Sequence, residues 1–456
     1  MNIKLLTLPL VFLLPVNTAW PQLSTTTVID GSNATALDGL DGLDGNGTAD
    51  MPTVADTTLD NQPEQLAAAM TDTSIREFTI DVADQDIENL RQRLALTRYP
   101  DQIDNTTWEY GTDRAFLREL VDYWQNDFDW RSQERLLNSF DQYRTDIDGL
   151  GLHFIHQRSP HPDALPLLLV HGWPGSIAEF HKIIGPLTDP TAYGGEAGDA
   201  FHVIAPSLPG FGFSDKPRDP GYSPERIAHL LVGLMERLGY EQYGLQGGDW
   251  GAIINRYIAA NYPDRLIGLH SNFVLAGNAG GDASATPEEL QKREMREAYM
   301  ANERGYQQIQ GTKPQTLGYA LNDSPAGLAA WIVEKFHGWS DIPQDQTDNI
   351  LDKFTMDELL TNVSIYWFTG TITSSMRIYY ENRNAPRAFG GGLGYISVPT
   401  GGAIFPAEIT ATPRGWAESS YNLVHWTVMP RGGHFAAMEE PELLLEDVRA
   451  FFAGLR

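Results

Sequence analysis

Gln246-Gly247-Gly248-Asp249-Trp250-Gly251 decides how this chain is read. The stretch fits the pattern G-x-Nu-x-G, with the carboxylate of Asp249 in the nucleophile position. Residues 242–246 ahead of it read as a short strand. Residues 252–261 behind it read as a helix, because Ile253, Ile254, Tyr257 and Ile258 share one face. Strand, sharp turn and helix form the context that gives this pattern meaning. So tight a turn needs small flanking residues, which Gly247 and Gly251 supply. Asp249 would then stand exposed at the top of a sheet, near the positive end of the following helix. A carboxylate held there can attack an electrophilic carbon and form an ester. Taken alone, the stretch is equally a tight glycine turn with an aspartate helix cap, so the remaining motifs must decide.

Working outward, Leu165–Val170 is a continuous apolar run, as a buried parallel strand should be. His171-Gly172-Trp173-Pro174-Gly175-Ser176 follows it. A strand running into H-G-x-P resembles the oxyanion loop of α/β-hydrolases. In that resemblance the main-chain N–H groups of Trp173 and Trp250 hold a developing oxyanion. His171 is best read as a structural turn histidine. Residues 201–205 form the next strand, and the glycine-rich segment 206–213 with Ser214 also resembles this superfamily. Residues 223–238 form a capped helix with Leu230, Leu231, Leu234 and Leu238 inward. A doubly wound sheet places its site beyond the carboxyl ends of its strands, where both loops lie.

The late residues follow the same plan. Residues 395–399 return to strand. Phe405-Pro406-Ala407-Glu408 comes next, where the superfamily places the acid that orients a histidine. Glu418 is the rival acid. Residues 423–428 are the last strand, and Gly432-Gly433-His434-Phe435 follows, ahead of a terminal helix from Pro441. His434 thus takes the position of the catalytic histidine, and the order Asp249, Glu408, His434 is that of α/β-hydrolases.

Two further regions carry a narrower resemblance. Leu96-Thr97-Arg98-Tyr99-Pro100, Trp108-Glu109-Tyr110-Gly111-Thr112, Leu120-Val121-Asp122-Tyr123-Trp124 and Asp129-Trp130-Arg131 resemble the N-terminal domain of microsomal-type epoxide hydrolases. Residues 304–310, 322–330, 366–370 and 374–379 resemble the lid of the same family. The resemblance runs from about residue 74 to the C-terminus. It implies that Tyr306 and Tyr379 donate hydrogen bonds to an epoxide oxygen. The chemistry is sound, because ring opening puts negative charge on that oxygen. The chain has 18 Tyr, so most are packing residues, and Tyr299, Tyr319 and Tyr380 compete for these roles.

Composition bounds the rest. Lys+Arg number 32 against 60 Asp+Glu, giving 32 − 60 = −28. Such a chain repels nucleic acid and anionic membranes. No cysteine is present, so disulfides and thiolate nucleophiles are excluded. The eleven histidines are scattered, and neither a metal site nor a cofactor is expected. Residues 1–19 resemble a secretory signal: Lys4 precedes an apolar run of about 12 residues, short of the roughly 20 that span a bilayer. An uncleaved N-terminal membrane anchor is the alternative. Residues 20–73 repeat Leu-Asp-Gly and read as a disordered acidic linker.

The expected architecture is an α/β-hydrolase: a doubly wound, mostly parallel sheet with a helical cap and an N-terminal extension domain. Its parts are a signal peptide (1–19), a linker (20–73), the N-terminal domain (74–150), the first part of the core (151–276), the cap (277–394) and the second part of the core (395–456). Helix candidates in the first domain are 84–96 and 115–126, after an alternating strand over 78–82. The 140–156 stretch reads as strand, with turns at 146–149 and at Gly151. The cap should hold helices at 288–299, 328–336 and 356–368. The expected activity is hydrolysis of an apolar small-molecule epoxide to a vicinal diol in an exported, periplasmic or secreted protein. No nucleic-acid partner and no stable membrane insertion are expected, and a homodimer stays open. Two alternatives are carried: a haloalkane dehalogenase, and a non-catalytic binding protein on the same fold. Trp331, Trp367 and Phe368 in the lid hint at a bulky substrate, although packing explains them equally well.

Overall fold

The α/β expectation is met by a single mixed sheet in a computed structural model, which describes residues 73–278, 281–342 and 349–456. The signal-like segment 1–19 and the linker as far as residue 72 lie outside the described residues. The strands are β1 (Arg76–Glu77), β2 (Gln142–Ile147), β3 (Leu150–Gln157), β4 (Leu165–Val170), β5 (Phe201–Pro206), β6 (Tyr243–Gly247), β7 (Leu266–Ser271), β8 (Ile396–Ile404) and β9 (Tyr421–Val428). Among the described residues they lie in the order β1-β2-β3-β5-β4-β6-β7-β8-β9. The first three strands and the β3–β5 pair are antiparallel, and β5 through β9 run parallel.

Alternation along β4 explains its position at the centre. Leu168 and Val170 enter one apolar cluster with the helices Pro224–Arg237 and Asp249–Asn261. Leu165, Leu167 and Leu169 enter the other, with the helices His181–Thr188 and Pro441–Ala453. Successive side chains leave a strand on opposite faces, so a strand covered on both must be apolar throughout. Leu168 has no exposed surface, and its truncation to Ala would cost about 2–5 kcal/mol. The chain leaves β4 for β5 on one side and reaches β6 on the other. The strand order therefore reverses at β4, and the loops after β4 and β6 open onto the crevice.

Several local expectations change. The 78–82 stretch is not strand, although Phe78 N–H still bonds the Gln142 carbonyl. Beyond it Asn138 Oδ1 accepts from Ile80 N–H (2.9 Å) and Glu134 Oε1 from Val82 N–H (2.8 Å), so side chains replace the ladder. Asp148 and Gly149, both with positive φ, make the two-residue hairpin turn between β2 and β3. Gly151 is not a turn but part of β3, where a Cβ would collide with Arg144 and Asp215. β7 was not anticipated, because Gly268 and His270 interrupt its apolar character. Both fit for tertiary reasons: Gly268 lies against Phe451 and Leu455, and His270 Nε2 bonds Asp447.

The cap comprises the helices Pro287–Glu303, Gly305–Gln310, Pro314–Leu321, Pro325–Gly338, Met356–Thr369 and Ile372–Asn384. Capping boxes at Thr286/Glu289 and Thr355/Glu358 start two of them. The N-terminal helices Arg114–Asn126 and Trp130–Leu137 brace this layer. Trp124 Nε1 donates to Ser364 Oγ (3.1 Å), Tyr123 Oη donates to Asp357, and Trp108 stacks on His337 at 3.8 Å. Among the described residues no helix is long and apolar enough to cross a membrane.

Candidate active site

β6 delivers Asp249 to the first position of the helix Asp249–Asn261 with φ of 45°, a left-handed conformation that a non-glycine residue rarely adopts. The turn closes only because its neighbours lack side chains. A Cβ on Gly251 would meet the Val170 carbonyl at 1.9 Å, and one on Gly247 would meet it at 2.8 Å. The loop after β4 then lies directly against the nucleophile position. Trp173 N–H donates to Asp249 Oδ1 at 2.8 Å. His171 ties this loop down rather than facing the site. Its Nδ1 bonds the Gly172 carbonyl and its Nε2 accepts from Leu208 N–H, while burial lowers its pKa to about 4.

His434 reaches the same carboxylate from the loop after β9. Its Nε2 stands 3.3 Å from Asp249 Oδ2, and its Nδ1 bonds Glu408 Oε1 at 2.6 Å. Burial alone would disfavour the imidazolium. Glu408 and Asp249 outweigh it and hold the His434 pKa well above the ordinary value. Glu408 is itself buried, and its Oε1 also accepts from the Ile409 N–H. The rival Glu418 pairs with Arg414 on the outer face of the helix Arg414–Ser420 and takes no part.

The cap supplies the opposite wall. Tyr306 on Gly305–Gln310 lies parallel to Trp173, with ring centroids 5.2 Å apart. Tyr379 on Ile372–Asn384 meets Tyr306 edge-on at 5.7 Å and Trp250 at 4.7 Å. Burial, reinforced by the Asp249 charge, raises the pKa of both phenols, so they face the carboxylate as hydrogen-bond donors. The competing tyrosines go elsewhere: Tyr299 donates to the Gly338 carbonyl, and Tyr319 and Tyr380 are exposed.

A cavity of about 600 Å³ opens between cap and sheet, lined by Asp249, Trp250, Phe273, Tyr306, Tyr379 and Phe389 among others. Its aromatic lining is not the one the lid sequence suggested. Phe368 packs on Trp130, Trp367 lies under Arg93, and Trp331 donates to Gln310. Phe273 and Phe389 carry no local signal of a binding role. Among the described residues no group of three or more His, Cys, Asp or Glu is placed to hold a metal ion. Trp250 is the second residue of the helix that Asp249 begins, and it lines the cavity.

Known families match the N-terminal region and the first part of the core. Residues 75–180 match the family model "Epoxide hydrolase N terminus", and residues 166–294 match "alpha/beta hydrolase fold". The chain is 41% identical to Epoxide hydrolase 1 of Sus scrofa over 421 residues, covering 86% of this chain and 92% of that one. Among solved structures it is similar to juvenile hormone epoxide hydrolase from the silkworm Bombyx mori, with a TM-score of 0.78 and 33% identity over 85% of this chain and 96% of that one. It also resembles Aspergillus niger epoxide hydrolase, with a TM-score of 0.75 and 31% identity over 85% of this chain and 98% of the other. An α/β-hydrolase sheet, an N-terminal extension and relatives of this closeness agree, and the chain belongs to the microsomal-type epoxide hydrolases.

Proposed function

We propose that the enzyme converts an apolar small-molecule epoxide and water to a vicinal diol through an ester on Asp249. One observation carries this reading: the Asp249 carboxylate sits between the Trp173 N–H and His434 Nε2 and opens onto the cavity beneath Tyr306 and Tyr379. The carboxylate attacks one epoxide carbon while the two phenols hold the ring oxygen and one of them gives it a proton. Ester formation removes the Asp249 charge that favours the imidazolium, and the neutral His434, oriented by Glu408, then removes a proton from water, which attacks the ester carbonyl. The main-chain N–H groups of Trp173 and Trp250 stabilise the oxyanion that forms. Nothing in this sequence of steps calls for a cofactor. The test is intact-protein mass after mixing with styrene oxide. The full epoxide mass should add to Asp249, because ring opening releases no leaving group. Halide release from haloalkanes without diol formation would support the dehalogenase instead.

We also propose that the mature chain begins near residue 20 and works outside the cytoplasm. The support is Lys4 and the short apolar run that follows it.

A further inference from the structure

Two glycines in the loop after β4 are bare for one reason. A Cβ on Gly172 would stand 2.2 Å from Asp249 Oδ1, and a Cβ on Gly175 would stand 1.3 Å from Glu179 Oε1. The loop is folded around two carboxyl groups, and the mechanism above uses only the first. Glu179 belongs to the helical turn Ile177–Phe180. It lines a second, small pocket together with Asp249, His434, Trp173 and Gln246. That pocket offers about 20 Å³ to water, the room of a single molecule. Asp249 is the one residue lining both this pocket and the 600 Å³ cavity. The nucleophile is therefore a partition, with the tyrosine-capped cavity on one side and a chamber holding His434 and Glu179 on the other.

We propose that this chamber seats the hydrolytic water and that Glu179 is its second anchor, opposite His434. The inference rests on the ester reading above. A water poised for attack must give one hydrogen to His434 Nε2 and point a lone pair at Asp249 Cγ. Its other hydrogen needs an acceptor, and without one the molecule can rotate out of line. A glutamate carbonyl oxygen serves whether or not the group is ionised. Burial pushes the Glu179 pKa up to about 8; His434 works against the rise and Asp249 adds to it. Tyr366 faces it from the cap, with its hydroxyl on the Gly175 carbonyl. At neutral pH the proton keeps a second negative charge away from Asp249, which must attack as an anion.

The atoms balance. The water oxygen bonds to Asp249 Cγ as one proton passes to His434 Nε2. The second proton stays on that oxygen, directed at Glu179. Collapse breaks the bond between Cγ and the alkyl oxygen, and the departing alkoxide takes the proton from His434. The acid proton left on Asp249 restores the phenol that protonated the ring oxygen in the first half-reaction.

The experiment is single-turnover reaction with styrene oxide, followed by intact mass and quenched diol, on Glu179→Ala and Glu179→Gln. In Glu179→Ala, ester formation should stay within about twofold of wild type while its decay slows by about tenfold or more. Steady-state kcat and KM should fall together, leaving kcat/KM in place. Glu179→Gln keeps the carbonyl acceptor and should recover most of the decay rate. Decay at the wild-type rate in Glu179→Ala overturns the proposal. So does an equal loss in both half-reactions, or a Gln variant as slow as Ala. Absence of any adduct on Asp249 in a His434→Gln control would instead overturn the ester mechanism on which this rests.

Discussion

His434 Nε2 lies 3.3 Å from Asp249 Oδ2, while its Nδ1 is held by Glu408 at 2.6 Å. One imidazole thus reaches the nucleophile from the small chamber, while the phenols line the large cavity on its other side. This separation divides the two half-reactions between two sets of residues. A carboxylate attacks as the anion and needs no base, whereas water does. His434→Gln should therefore be alkylated by styrene oxide and then hydrolyse the ester very slowly, so that adduct accumulates on Asp249. Asp249→Asn should show no adduct at short times. Wild-type diol turnover in His434→Gln would contradict this division.

Tyr306 and Tyr379 should show the opposite split. Each Phe variant should slow ester formation by roughly 10²-fold, the cost of one donor to a developing oxyanion. The double variant should be nearly inactive. Ester decay should change less, since that step depends on the backbone donors. Alkylation rates equal to wild type in both single variants would remove the phenols from the mechanism.

Gly172 offers a test that leaves every polar group in place. Its backbone is open to any residue, but an alanine Cβ would press on Asp249 Oδ1 at 2.2 Å. The carboxylate must turn away and loosen its bond to the Trp173 N–H. The Asp249 Cβ, at 2.4 Å, would clash as well, so the loop after β4 must shift, and Gly172→Ala should alkylate about 10²-fold more slowly while keeping the native far-UV spectrum. Circular dichroism with single-turnover kinetics measures both. Wild-type alkylation would show that the observed placement of the carboxylate does not matter.

Asp447 predicts how acid affects stability. Burial raises its pKa, but bonds to His270 (2.9 Å) and His425 (2.8 Å) prevail and lower it to about 2. A carboxyl with a depressed folded pKa stabilises above its ordinary value near 4 and loses that contribution as pH falls toward 2. The contribution is about 2 kcal/mol at neutral pH. Asp447→Asn should be less stable than wild type at pH 7 by about that amount, and the gap should close between about pH 4 and pH 2. Paired urea titrations across this range provide the measurement. A gap independent of pH would assign the loss to packing.

Export is checked at the chain terminus. N-terminal sequencing of the native protein should begin near residue 20. An intact Met1 that pellets with membranes would favour the anchored alternative.

The sequence alone determined the parts whose signals are local. Leu165–Val170 had to be a doubly covered strand, because nothing in it tolerates water. Gly247 and Gly251 marked a tight strand-to-helix turn, which the other motifs turned into a nucleophile elbow, and His434 followed its strand in the expected place. Other assignments depended on which chain segment arrives opposite, which no local pattern encodes. Glu408 and Glu418 are both late acids, and only burial against His434 separates them. Phe78 to Val82 alternates like a strand, but Asn138 and Glu134 take its N–H groups first. β7 was hidden because its Gly268 and His270 are explained by Phe451 and Asp447, nearly two hundred residues away. Glu179 reads in sequence as one more acid in an acidic chain. The missing Cβ of Gly175 gives it room, and folding alone brings it into the chamber that Asp249 and His434 share.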